Sequence, residues 1–207
     1  MAEIKAVIFD LDGTLYDKSH LHTRIILNQL LRKKLFLLKR ERDVRSMLKG
    51  QYFGSEEAFY EIFFKHIGKG NARKWYFDCY LPQMAKVLRK HYRLAPWVKE
   101  YIMSLREKGV KIVVFSDYGF VKEKLDAIGF DTQWADYLFD APSLGGLKPC
   151  REAFMNVCEK IGIEPQYCLM IGDRDDTDGD GARSVGMQFM KVKNATKPEE
   201  QDVVSGF

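Results

Sequence analysis

The stretch "AVIFDLDGTLYD", residues 6–17, constrains this chain more than any other. Its apolar run is short enough for a strand and too unbroken for a strand with one wet face. Such a strand belongs inside a parallel sheet covered on both sides, yet it runs straight into Asp10 and Asp12. In open α/β sheets ligands bind beyond the carboxyl ends of the strands, which is where these acids fall. If the extended backbone persists for two residues, both carboxylates point to one side, and Gly13 then lets the chain turn. Two like charges this close stay ionised only when a cation or a proton intervenes. That requirement favours a functional site over a polar turn that merely ends a strand.

The same buried-strand pattern recurs in "KIVVFS" (111–116) and "CLMIG" (168–172), with weaker candidates in "DYLFD" (136–140) and "MQFMKV" (187–192). Helical periodicity lies between them, near 119–128, 151–161 and 179–185. Another helix opens at Pro96, carries Trp97, Tyr101, Ile102 and Leu105 on one face, and stops at Gly109. This alternation predicts an α/β fold with a doubly wound, mostly parallel, Rossmann-like sheet.

Residues 18–93 interrupt the rhythm. They contain no convincing strand and four helical segments, roughly 19–36, 40–49, 55–67 and 71–91. Ser55 suits an N-cap ahead of "EEAFYEIFF", and "IGKG" (67–70) suits a stop. Phe59, Phe63, Trp75, Tyr76 and Tyr80 are expected to form the core of this helical insert. The chain therefore divides into an α/β core domain, residues 1–17 and 94–207, and an inserted helical domain, residues 18–93.

Charge follows the same division. The insert carries 18 Lys and Arg against 6 Asp and Glu, whereas the rest carries 15 against 23. The basic surplus fits either a solvated helical surface or attraction of small anionic substrates. No nucleic-acid-binding module is recognisable, so no nucleic-acid partner is expected. No stretch approaches the roughly 20 apolar residues of a membrane span, and "MAEIKAVIF" lacks the layout of a secretory leader. Cys79, Cys150, Cys158 and Cys168 show no C-x-x-C spacing. A cytoplasmic chain with reduced thiols and no membrane partner is the expectation.

A second acidic group follows another buried strand. "IGDRDDTDGDGA" places Asp173, Asp175, Asp176, Asp178 and Asp180 within eight positions. An EF-hand loop starting at Asp176 would need a bidentate Glu at its twelfth position, which here is Met187, and flanking helices. A strand precedes the segment instead, so the calcium-loop reading fails.

Four short motifs then appear in order: "DLDGTLYD", Ser116 closing "VVFSD", Lys148 in "GLKP", and "GDRDDTD" with "GDGA". Together they resemble the haloacid dehalogenase (HAD) superfamily of phosphohydrolases over nearly the whole chain. The insert after strand one resembles that superfamily's helical cap, of the type placed between the first and second motifs. The resemblance implies a HAD-like fold and a Mg²⁺-dependent phosphatase acting on a small phosphorylated metabolite, such as a sugar phosphate, a phosphoglycolate-like acid or a nucleotide.

It also implies roles. Asp10 would be the nucleophile that forms an aspartyl-phosphate, and Asp12 the general acid and then base. Ser116, Asp117 and Lys148 would bind the phosphoryl group, with Ser116 and Lys148 also counted as catalytic. Asp10, the Asp12 backbone carbonyl, Asp173 and Asp178 would hold Mg²⁺. Asp175, Asp176 and Asp180 are not required by the motif and read as surface charge, although one of them could stand in for Asp178. Tyr16 to Lys18 and Arg93 to Pro96 would link core and cap as hinges.

Three alternatives stay in view. A dehalogenase would lack an acid at the position of Asp12. A phosphomutase of the β-phosphoglucomutase type would use a cap histidine where His22 stands. A non-catalytic binding protein could share the fold.

Overall fold

The structure is a computed structural model, and it describes residues 3–31, 33–68, 70–197 and the backbone of 203–204. A six-stranded sheet forms its centre, in the order β3-β2-β1-β4-β5-β6. Strands β1 (Ala6–Phe9), β2 (Lys111–Ser116), β3 (Tyr137–Asp140), β4 (Cys168–Gly172) and β5 (Gln188–Lys191) run parallel. Strand β6 (Val203–Val204) adds an antiparallel edge beside β5. It falls in the terminal stretch that had no readable pattern, whose residues 198–202 and 205–207 lie outside the described residues.

β1 lies between β2 and β4, and its four residues are fully buried. Its side chains alternate between two cores, as the pleat requires. Ala6 and Ile8 pack with Val113, Phe115, Met170 and Phe154 on one face. Val7 and Phe9 pack with Val114, Ile171, Val98 and Ile102 on the other. Helices α8 (Arg151–Ile161) and α9 (Asp180–Val185) serve the first face, and α6 (Pro96–Glu107) and α7 (Val121–Ile128) serve the second. The doubly wound parallel sheet is therefore as expected.

Between β1 and α6 the chain forms α1 (Leu21–Leu31), α2 (Leu35–Leu48), α3 (Glu56–Ile67), α4 (Ala72–Trp75) and α5 (Leu81–His91). Ser55 caps α3, its hydroxyl accepting from the Ala58 amide at 3.2 Å, and Gly68 ends it at φ +114°. The expected aromatic core is present. Phe59 stacks on Phe63 with 5.3 Å between ring centres, and Trp75 stacks on Tyr80 at 5.1 Å.

Two boundaries differ from the sequence reading. The first helix ends at Leu31 and the second begins at Leu35, not near residue 40. Leu38 opens a buried stripe with Glu41, Val44 and Leu48, so the segment belongs to α2 by packing. The fourth segment is not one regular helix. Pro82 lacks an amide proton for its own turn, and a π turn at Tyr76–Tyr80 absorbs the mismatch before α5. Among the described residues no helix is long and apolar enough to cross a membrane, and all four cysteines are free.

Candidate active site

The site forms where β1, β2 and β4 end side by side. Asp10 follows β1, its amide still bonded to the Ile171 carbonyl of β4 at 2.9 Å. Thr14 donates to one Asp10 oxygen at 3.1 Å, and the Lys148 ammonium donates to the other at 3.0 Å. Asp173 follows β4 directly. Asp178 reaches the same place because a π turn at Asp175–Gly179 replaces the first turn of a regular helix. One carboxylate oxygen each from Asp10, Asp173 and Asp178 lies within 4.8 Å of the other two.

Two glycines make this approach possible. A Cβ on Gly172 would sit 2.5 Å from the Asp178 carboxyl carbon. Gly13, at φ +101°, would push a Cβ to 2.5 Å from an Asp173 oxygen.

Charge within the cluster is unevenly matched. Lys148 is fully buried and donates to Asp10, to Asp178 at 2.8 Å and to the Phe115 carbonyl at 2.7 Å. Burial alone would lower its pKa, but Asp10, Asp178 and Asp117 together raise it, so it stays charged. Burial pushes the Asp178 carboxyl up, with Lys148 opposing and Asp10 reinforcing the shift. Burial also raises Asp173, against a 2.5 Å ion pair with Lys18. The same Lys18 ammonium donates to the Asp12 backbone carbonyl at 3.0 Å. An ammonium already resting on two of the expected ligands, beside carboxylates held high, marks oxygens short of positive charge. Three hard oxygen donors and a carbonyl suit a divalent cation of the Mg²⁺ type.

The Asp12 carboxylate does not join this cluster. It turns to a separate partner set, accepting from the Tyr16 hydroxyl at 2.5 Å and from the Lys124 ammonium. Burial would raise its pKa, but Lys124 and the two hydrogen bonds hold it below the ordinary carboxylate range. Burial and the Asp12 charge raise the Tyr16 phenol, so Tyr16 remains a donor. The close carboxylates at 10 and 12 thus each have their own lysine.

Ser116 ends β2 fully buried, its hydroxyl accepting from the Tyr118 amide at 3.2 Å and lying 3.5 Å from Lys124. Asp117 accepts from the Lys148 backbone amide at 3.1 Å and so ties the second motif to the third. Asp175, Asp176 and Asp180 stay outside. Their half-exposed side chains pair with Arg183, with Arg174 and Lys49, and with Arg183, respectively.

Lys124 was not singled out from the sequence, and Tyr16 was named only as part of a hinge. The signal for Lys124 was present: it shares a helical face with Val121, Leu125 and Ile128, and a lysine on an apolar stripe calls for a buried anion. Tyr16 lies within the first motif but reads as one more apolar position.

Residues 4–186 match the haloacid dehalogenase-like hydrolase family. The chain is 26% identical to the glyceraldehyde 3-phosphate phosphatase of Methanopyrus kandleri, over 99% of this chain and 92% of that protein. It is 28% identical to the N-acylneuraminate-9-phosphatase of Mus musculus, over 91% of this chain and 82% of that one. A HAD phosphatase from Thermococcus onnurineus shares the fold with a TM-score of 0.66, at 21% identity, covering 96% of this chain and 91% of its own. The fold is of the Rossmann-like α/β class, with an acid cluster at its strand ends, and the family match makes the chain a hydrolase. The chain belongs to the haloacid dehalogenase-like hydrolase family and is a phosphatase within it, with its helical insert in the cap position after β1.

Proposed function

We propose that the chain hydrolyses a small phosphorylated metabolite through an aspartyl-phosphate on Asp10. The observation that carries this is the convergence of the Asp10, Asp173 and Asp178 carboxylates beside a fully buried Lys148. The Asp10 carboxylate attacks phosphorus, and the bond from phosphorus to the leaving oxygen breaks as Asp12 supplies that oxygen with a proton. Asp12 then takes a proton from water, the water oxygen attacks phosphorus, and Asp10 is released with inorganic phosphate. The negative charge of the arriving phosphate opposes Lys124 at Asp12 and raises its proton affinity, so Asp12 takes up a proton from solvent as the substrate binds and holds it for the leaving oxygen.

Asp10, Asp173, Asp178 and the Asp12 carbonyl are the residues that would hold Mg²⁺, which when bound offsets repulsion between phosphate and nucleophile. Lys148 neutralises charge on Asp10 and on the phosphoryl oxygens, and Ser116 and Asp117 bind on that side. The division into a core, residues 1–17 and 94–207, and a cap, residues 18–93, supplies closure over the site. The links are laced together: the Ala95 amide donates to Leu15 at 2.8 Å, and the Tyr92 hydroxyl to Ser19 at 2.9 Å. A cavity of about 310 Å³ opens beside Asp12 and suits a metabolite-sized leaving group, with sugar phosphates and phosphorylated acids as the first candidates.

A phosphate-release screen over phosphorylated metabolites with Mg²⁺ tests this reading. Turnover is expected to vanish with chelator, return with Mg²⁺, and need no bisphosphate activator. Chelator-insensitive turnover, or silence across the whole screen, overturns it; dependence on a bisphosphate would favour the mutase instead.

Lys124 is a positioning residue in this scheme, because it touches Asp12 and not the reacting phosphorus. Lys124→Met is expected to cost about 10²-fold in kcat on alkyl phosphates, within the usual range for general acid catalysis. On p-nitrophenyl phosphate, whose leaving group needs no proton, the loss should be several-fold smaller. Equal losses on both would reduce Lys124 to a structural role.

A further inference from the structure

Two cavities separate the helical insert from the ends of the strands. The first, about 310 Å³, contains Asp12 and has an apolar wall of Leu21, Ile25, Leu38 and Met84. The second, about 220 Å³, is rich in cations: Arg42, Arg45, Lys49, Lys148 and Arg174 all line it. Arg42 and Tyr118 line both. The first cavity holds Asp12, the proposed proton donor to the leaving group, and Arg42 on α2 lies on its wall.

The other cations around these cavities already face carboxylates. Arg45 pairs with Glu41 at 2.9 Å, Lys49 and Arg174 pair with Asp176, Lys148 with Asp10 and Asp178, and Lys18 with Asp173. Arg42 differs. Among the described residues it joins no ion pair, and its one hydrogen-bonding contact is to the His22 imidazole. Burial and the Arg42 charge lower the pKa of His22, so the ring is neutral near pH 7 and accepts from the guanidinium. His22 thereby holds Arg42 on the wall of both cavities while its remaining N–H groups stay available.

We propose that Arg42 is a specificity-determining residue that binds a second anionic group, a carboxylate, on the leaving part of the substrate. This rests on the phosphatase reading above and narrows its substrate class to phosphate monoesters of hydroxy acids. A planar guanidinium matches a carboxylate with two parallel hydrogen bonds, which a neutral hydroxyl cannot reproduce. The apolar wall takes the carbon skeleton between the two charged ends. The substrates named for the two relatives divide along this line: an N-acylneuraminate carries a carboxylate, and glyceraldehyde 3-phosphate does not. The proposal places this chain with the acid.

The test is a matched pair that differs only at the far end, 2-phosphoglycolate and 2-hydroxyethyl phosphate, assayed with Mg²⁺ for the unaltered protein, Arg42→Ala and Arg42→Lys. The unaltered protein should prefer the carboxylate ester by about tenfold or more in kcat/KM. Arg42→Ala should erase most of that preference through KM, with at least a tenfold larger loss on the carboxylate ester than on the neutral one. Arg42→Lys should recover part of it. Equal kcat/KM for the two esters, or equal losses in Arg42→Ala, overturns the proposal while the phosphatase reading stands. Silence on both esters and on the wider screen overturns that reading, and this one with it.

Discussion

Asp10→Asn is expected to reduce phosphate release by about 10⁴-fold or more while the protein stays folded. The amide has the shape of the carboxylate but no charge with which to attack phosphorus. Its carbonyl oxygen can still accept from Lys148, which now donates at 3.0 Å, so the local geometry has little reason to change. Removing one anion from a cluster where three acids approach within 4.8 Å also relieves repulsion. Thermal unfolding should therefore be unchanged or shifted slightly upward. Phosphate release and circular-dichroism melts on the same preparation separate the two effects. Near-normal turnover would mean that the attacking group lies elsewhere, and the reaction sequence proposed above would fall.

The parts of this site that were legible in the sequence are those fixed by strand burial. β1, β2 and β4 are central strands covered on both faces, so each reads as an unbroken apolar run, and a charge at its end stands out. Asp10 and Asp173 are both placed in this way, whereas Ser116, an uncharged hydroxyl at a strand end, was legible only as a member of the ordered motif set. Asp178 was legible only as a member of a motif, because its position depends on a π turn that has no periodic signature. The Tyr76–Tyr80 turn escaped for the same reason, although Pro82 gave warning of a break. The α1–α2 boundary was misplaced because the apolar "LFLL" continues the first helix as readily as it starts the second. Packing of Leu38 against the insert's core decides between them. Lys124 was hidden by the assumption that charged residues on a helix face water, and Asp12 on another element is what makes its burial tolerable.

The site therefore depends on two buried lysines that no local pattern announces as a pair. Lys124 separates Asp12 from the acidic cluster, and Lys148 holds that cluster together. Arg45 plays a comparable part in the insert. It donates to Glu41, to the Tyr76 hydroxyl at 2.9 Å and to the Asp117 carbonyl at 2.9 Å, and so joins the helical insert to the second motif. The charged groups nearest the reaction are thus set by side chains from four separate stretches of chain.

Lys148→Met is expected to damage stability and activity together. The change leaves Asp10 and Asp178 facing each other without the ammonium that bridges them at 3.0 and 2.8 Å. Breaking a buried pair in this way costs about 3–5 kcal/mol. For a chain of this size that corresponds to a fall in melting temperature of roughly 6–20 °C. Activity should fall by about 10³-fold, since a preorganised cation facing the phosphoryl group is lost. The stability deficit in chelator has a defined pH dependence. Asp178 is already raised by burial with Lys148 opposing, so losing Lys148 raises it further. A carboxyl with a folded-state pKa above its unfolded value binds more protons when folded, and stability then increases as pH falls. The variant's deficit should shrink between pH 7 and pH 5, as one proton replaces the missing ammonium between the two acids. Melting curves with chelator over that range, followed by Mg²⁺ addition at pH 7, provide the measurement. A deficit that is constant with pH and indifferent to Mg²⁺ would mean that Lys148 acts by packing against the Phe115 ring, 4.5 Å away, and not by charge.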